Sequence, residues 1–286
     1  MKIERVAVIG AGTMGNGIAH VCALGGFGVS LVDADAGALE RGLAMIDRNL
    51  GRQLAKGRIS AEERGRALAR IDGGRSLDAA AQADLVIEAV PERVELKREI
   101  FAELDEVAPP GTILASNTSS ISITAIAAAT GRPEQVIGMH FMNPVPVMEL
   151  VEIIRGLRTS DATTAVVMEL ARALGKTPVE ARDFPGFVSN RILMPMINEA
   201  VFALMEGVAS AEGIDTVMKL GMHHPMGPLA LADLIGLDTC LNILEVLHRE
   251  LGADRFRPCP LLRQYVAAGW LGRKSGRGFH SYASPA

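Results

Sequence analysis

RVAVIGAGTMG, residues 5–15, decides the fold: a short apolar run stops at glycines spaced G-x-G-x-x-G, at Gly10, Gly12 and Gly15. Arg5 to Ile9 reads as a buried parallel strand, and Thr13 to Leu24 as the helix that follows it. The first glycine permits the tight turn, the second lets a phosphate approach the backbone, and the third allows the helix to pack closely on the strand. Thr13 and Met14 complete the turn at the helix start, where backbone N–H groups and the helix dipole favour an anion. Alone, the glycine spacing is a weak signal. Gly28 to Asp33 reads as the second strand of a βαβ unit, and Asp33 ends it roughly 20 residues on, where a carboxylate accepts hydrogen bonds from both ribose hydroxyls of a dinucleotide. No arginine follows it in sequence; Ala34 and Asp35 stand there instead. Asp35 would repel a 2′-phosphate, so NAD is expected rather than NADP.

Outward from this unit the alternation continues. Ala36 to Leu54 and Ala61 to Ala69 read as two amphipathic helices around Lys56-Gly-Arg-Ile-Ser60, with Ser60 and Glu63 spaced as a capping box. Strands are expected at Asp84–Val90, Thr112–Ser116, Gln135–His140, Val147–Ile154 and near Thr177–Val179. A charged helix covers Glu95–Glu106, and another Ala162–Leu174. After Asp183-Phe-Pro-Gly-Phe187 the periodicity turns helical. The expected fold class is α/β: a Rossmann-type doubly wound sheet with a helix–turn–helix insert over residues 1–184, followed by an all-α C-terminal domain over 185–286.

Composition narrows the partners. A net charge of −4 offers no broad basic field, so nucleic acid and anionic membrane are not expected as main partners. No apolar run approaches a membrane span. Cys22, Cys240 and Cys259 form no CxxC pair, which suits a reducing compartment and excludes a zinc or disulfide framework, so a cytoplasmic protein with no metal is expected.

Of six histidines, His140 stands out because it ends a strand at the ligand-facing edge of the expected sheet. Glu152 follows on a neighbouring strand pattern. If the two meet, the carboxylate fixes the imidazole tautomer and stabilises its protonated form. His20, His223, His224, His248 and His280 read as structural or surface residues.

The chain resembles the short-chain L-3-hydroxyacyl-CoA dehydrogenases, above all the free-standing bacterial 3-hydroxybutyryl-CoA dehydrogenases. GAGTMGNGIAH from Gly10, EAVPE from Glu88, SNTSSISI from Ser116 and GMHFMNPVPVMELVEI from Gly138 carry the resemblance, as do PGFVSNRI from Pro185, HPMGPLALADLIGLD from His224 and LGRKSGRGF from Leu271. It implies NAD-dependent interconversion of an (S)-3-hydroxyacyl-CoA, four-carbon by expectation, and its 3-oxo form, within fatty acid metabolism. On this resemblance His140 is the general base, Glu152 its orienting carboxylate, and Ser119 and Asn190 the polar groups around the substrate's C3 oxygen. Glu92, Lys97 and Asn117 lie by the nicotinamide, and Lys56 meets the CoA moiety. Each has a plainer reading: Ser119 and Asn190 as helix caps, Lys97 as a solvated charge beside Glu99, Lys56 as a surface lysine. The resemblance also implies a homodimer through the C-terminal domain, whose apolar helices would otherwise expose patches. Two other functions stay open: a relative acting on a non-CoA hydroxy acid such as gulonate or carnitine, and a catalytically silent NAD-binding protein. At His280 relatives usually carry an aromatic residue.

Overall fold

The computed structural model describes residues 2–282. The chain divides between Phe184 and Pro185 into two compact units. The first holds β1 (Arg5–Ile9), α1 (Thr13–Leu24), β2 (Gly28–Val32), α2 (Ala36–Ala55), α3 (Ala61–Leu68), β3 (Ile71–Gly74), β4 (Leu85–Glu88) and α4 (Val94–Val107). It continues with β5 (Ile113–Ser116), α5 (Ile123–Ala127), β6 (Val136–Phe141), β7 (Leu150–Arg155), α6 (Asp161–Ala173) and β8 (Thr177–Arg182).

The strands form one eight-stranded sheet in the order β3-β2-β1-β4-β5-β6-β7-β8. Every neighbouring pair is parallel except β6 and β7. The order reverses direction at β1, whose neighbours are β2 and β4, so a crevice opens beyond the carboxyl ends of β1 and β4. The glycine turn follows β1 directly into that crevice.

The apolar strands β4, β5 and β6 are buried along their whole length, as a sheet covered on both faces requires. Helix α1 is buried from Gly15 to Ala23 because it touches β1 and β2 on one side and α2 and α3 on the other. It is therefore apolar nearly all round. Helix α2 buries only Gly42, Ile46 and Leu50, one residue per turn, and keeps its arginines outside. Ser60 and Glu63 close a full capping box, with bonds of 2.7 and 3.1 Å.

Most strand bounds shift by a residue or more from those expected, and one strand is new. β3 reads Ile-Asp-Gly-Gly, without an apolar pattern; it holds because an edge strand needs only the ladder that β2 offers. β4 spans only Leu85–Glu88, and β7 begins at Leu150 rather than Val147. β8 runs on to Arg182, because six residues of β7 pair with it although most of its exposed side chains are polar.

His20 is fully buried on α1, and among the described residues neither ring nitrogen finds a well-formed hydrogen bond. Burial pushes its pKa down to about 4; a weak contact from Gln53 opposes the shift and the charge of Lys176 adds to it. The unfolded chain takes up this proton near pH 6.5 and the folded chain only near 4. Stability should thus fall as the pH drops through that window, by about 3 kcal/mol in all. Replacing His20 by leucine should flatten the melting temperature between pH 7 and 4.5 relative to wild type. Parallel acid profiles for the two proteins would contradict this.

The second unit is built from α7 (Ser189–Met205), α8 (Ala211–Gly221), α9 (Pro228–Ile235), α10 (Leu237–Leu251) and α11 (Pro260–Ala267). Its core gathers Met194, Ile197, Val201, Leu229, Leu237 and Leu244. Two buried aspartates secure the end of the described chain. Asp233 accepts the N–H groups of Phe279 and His280 and the Tyr282 hydroxyl, at 2.9, 2.9 and 3.0 Å. Asp215 accepts the N–H groups of Leu229 and Ala230 and lies 2.8 Å from His280 Nε2. His280 thus gives the end of the described chain a polar tie to α8.

Candidate active site

The dinucleotide turn has the shape its glycines require. Gly10 takes a φ of +97°, and a Cβ on Gly15 would lie 1.7 Å from the Gly10 carbonyl oxygen. Only a residue without a side chain permits that helix–strand approach. Beside Gly12 the space is open, with no atom within 4 Å of a notional Cβ. Helix α1 starts there with no side-chain cap and no acidic residue in its first turn. Its N–H groups at Thr13 and Met14 therefore face a place suited to a pyrophosphate. Asp33, at the end of β2, accepts the N–H of Ala11 at 2.8 Å and that of Asp35 at 3.0 Å. It ties the turn to the strand that presents the ribose corner. These residues fit NAD: a backbone cradle for two phosphates, then a carboxylate for a diol.

Across the sheet, β6 and β7 pair antiparallel with His140 directly opposite Glu152. His140 Nδ1 and Glu152 Oε2 are 2.8 Å apart, and both side chains are buried. Because Glu152 accepts a hydrogen bond from Nδ1–H, the neutral imidazole keeps its proton on Nδ1 and its lone pair at Nε2. An antiparallel pair is what permits this. In a parallel pair two facing ends of such strands would need a crossover, whereas here a short loop returns the chain from His140 to Glu152.

Behind them lies a buried charge network at the ends of β4 and β5. Glu88 and Lys97 are 0% and 1% exposed and form an ion pair of 2.6 Å. Glu88 also accepts the N–H of Val90 at 2.7 Å and the hydroxyl of Ser116 at 2.6 Å. Lys97 donates further to the Val90 carbonyl at 3.2 Å and lies 3.4 Å from Glu92. Glu92 in turn accepts the N–H groups of Ser119 and Ser120 at 2.8 and 3.0 Å, and hydroxyls of Thr118 and Ser120. Burial pushes the Glu92 carboxyl up, but the Lys97 ammonium and these donors outweigh it and hold it below its ordinary value.

Lys97 is therefore no solvated charge beside Glu99. It fixes Glu92, and Glu92 fixes the backbone of Ser119. Asn117 is also drawn into the scaffold: its Oδ1 accepts the Phe141 N–H at 2.9 Å, next to His140. The segment is anchored from its far side by Asp183, which accepts the N–H groups of Ile123 and Thr124 and the Ser122 hydroxyl. It is Ser122, not Ser119, that caps α5.

Asn190 belongs to the second unit, buried in the first turn of α7, whose N-cap is Val188; it is not a cap. Lys56 ends α2, exposed, with Arg52 and Arg58 close in sequence on the same insert. The sequence reading assigned nothing to Glu88, although a carboxylate ending the apolar run Leu-Val-Ile was the available signal. Thr118 and Ser120 carried no such signal.

A dinucleotide turn with its ribose carboxylate, facing a buried His–Glu pair across one sheet, defines an NAD-dependent dehydrogenase. Residues 5–184 match the family described as 3-hydroxyacyl-CoA dehydrogenase, NAD binding domain, and residues 186–282 match its C-terminal domain. The chain belongs to the 3-hydroxyacyl-CoA dehydrogenase family and is an NAD-dependent oxidoreductase. It is 58% identical over 280 residues to a 3-hydroxybutyryl-CoA dehydrogenase of Bradyrhizobium diazoefficiens, covering 98% of this chain and 96% of that one. It is 59% identical to a probable 3-hydroxybutyryl-CoA dehydrogenase of Bacillus subtilis, covering 99% and 98%. The crystal structure of an (S)-3-hydroxybutyryl-CoA dehydrogenase from Ralstonia eutropha superposes with a TM-score of 0.96 at 52% identity, covering 99% and 100%.

Proposed function

We propose that this protein interconverts (S)-3-hydroxybutyryl-CoA and acetoacetyl-CoA, with His140 as the general base and acid. The observation that carries the reading is the 2.8 Å His140–Glu152 contact within a dehydrogenase fold. Bound NAD supplies the hydride acceptor. Oxidising a secondary alcohol also requires removal of the hydroxyl proton, which His140 takes at Nε2 as the C–H bond breaks. Glu152 holds the ring and stabilises the imidazolium that results. In reduction His140 returns that proton to the new alkoxide. Ser119 and Asn190 hold the C3 oxygen by hydrogen bonds that serve both carbonyl and hydroxyl forms. Glu92, Lys97 and Asn117 hold the nicotinamide side in shape, and Lys56 meets the anionic CoA moiety.

Initial rates with acetoacetyl-CoA and NADH test the substrate, set beside L-gulonate and carnitine with NAD. Rapid NADH consumption with the CoA ester alone is expected. Activity confined to gulonate or carnitine would overturn the reading, and NADH binding with no turnover on any of them would point to a silent protein.

The second unit supports a homodimer. Val208, Val217, Leu220 and Met222 are 72%, 60%, 80% and 61% exposed, more apolar surface than a small helical unit ordinarily leaves in water. Light scattering should give twice the chain mass, and Leu220→Asp with Val217→Asp should halve it. A monomeric wild type would remove this assignment. Three buried free thiols suit the reducing cytoplasm.

A further inference from the structure

The ribose corner holds charges that are remote in sequence. Asp33 donates its N–H to the Gly74 carbonyl at 3.2 Å, so the residue after Gly74, Arg75, comes to lie beside the end of β2. The Arg75 guanidinium donates through Nε and Nη2 to the Ala34 carbonyl at 3.4 and 3.2 Å. Arg41 reaches the same corner from α2. Its Nη1 lies 3.0 Å from the point where a Cβ on Gly37 would stand, and Asp35 Oδ1 lies 3.2 Å from that point. The Asp35 carboxyl is held below its ordinary value first by the Ala38 and Gly37 N–H groups, then by the charges of Arg41 and Arg75. The charge of Asp35 is thus met first by the start of α2, with two guanidiniums close enough to add to that stabilisation. Among the described residues, Asp33 accepts hydrogen bonds from the backbone N–H groups of Ala11 and Asp35 alone.

We propose that Asp33 alone excludes NADP from this site, and that Arg41 and Arg75 form a latent subsite for its 2′-phosphate. Guanidinium forks match phosphate oxygens bidentately, and both side chains are exposed, able to turn from Ala34 and Asp35 toward a dianion. With Asp33 in place, its carboxylate occupies the ribose edge and repels that dianion. With Asp33 neutral, the remaining charge of the corner favours it. A sequence search for arginine directly after β2 misses this arrangement, because one cation follows β3 and the other stands on α2.

The test is cofactor binding alone, read by NADPH and NADH fluorescence titration without acyl substrate, so it stands apart from the substrate assignment. In Asp33→Ser the NADPH dissociation constant should fall about tenfold or more below that of wild type, while NADH binds more weakly. Asp33→Asn, which retains an acceptor for the Ala11 N–H, should behave alike and guards against misfolding of the serine variant. Adding Arg41→Ala and Arg75→Ala to Asp33→Ser should abolish the gain for NADPH and leave NADH binding within about twofold of Asp33→Ser. No gain in either single variant would overturn the proposal. So would a gain that survives removal of both arginines.

Discussion

His140→Ala is expected to lower turnover by about 10²–10⁴-fold while leaving NADH binding unchanged, the range for loss of a general base. The side chain lies on β6, away from the glycine turn and Asp33, so the cofactor's anchors survive the substitution. What is lost is the acceptor for the hydroxyl proton, needed in the transition state and not in the ground state, so turnover should fall far more than KM rises. Glu152→Gln is the companion experiment. It keeps a hydrogen-bonding group near Nδ1 but removes the charge that stabilises the imidazolium, so a smaller fall is expected. Near-normal turnover in His140→Ala would remove the base assignment.

Lys97→Met should destabilise the first unit by about 3–5 kcal/mol, the cost of leaving a buried charge without its partner. Glu88 has no exposure, and its other donors are one backbone N–H and one hydroxyl. Neither carries a charge. The melting temperature should drop by on the order of 10 °C for a chain of this size. The double variant Lys97→Met, Glu88→Gln should recover part of the loss, because the stranded carboxylate is gone while Val90 and Ser116 keep an acceptor. A single variant that melts within a degree or two of wild type would contradict the buried pair. So would a double variant less stable than the sum of its parts.

How far the sequence could be read depended on where each signal was stored. The glycine turn and Asp33 are local: strand, turn, helix and strand follow one another, and their spacing states the geometry. The helical second unit was legible for the same reason, as periodicity changes after Pro185. β3 was not, since an edge strand of Ile-Asp-Gly-Gly owes its conformation to β2 rather than to its own residues. The antiparallel turn from β6 to β7 was equally hidden, and with it the meeting of His140 and Glu152, twelve residues apart in sequence. Lys97 shows the limit most clearly. Its neighbours on α4 are charged and solvated, and nothing in the local pattern says that this one lysine turns inward to Glu88. Arg41 and Arg75 come near the end of β2 only because β3 pairs with β2 and α2 starts just after it.

The proposed reaction comes down to one transfer: a hydride between the nicotinamide and C3 of a CoA thioester, with the proton handled at His140. The direct measurement uses NADH carrying deuterium at both C4 positions, mixed with acetoacetyl-CoA and the protein. Recovered 3-hydroxybutyryl-CoA with one deuterium at C3 and S configuration is the expected result. Unlabelled product, the opposite configuration, or no product despite bound NADH would contradict it.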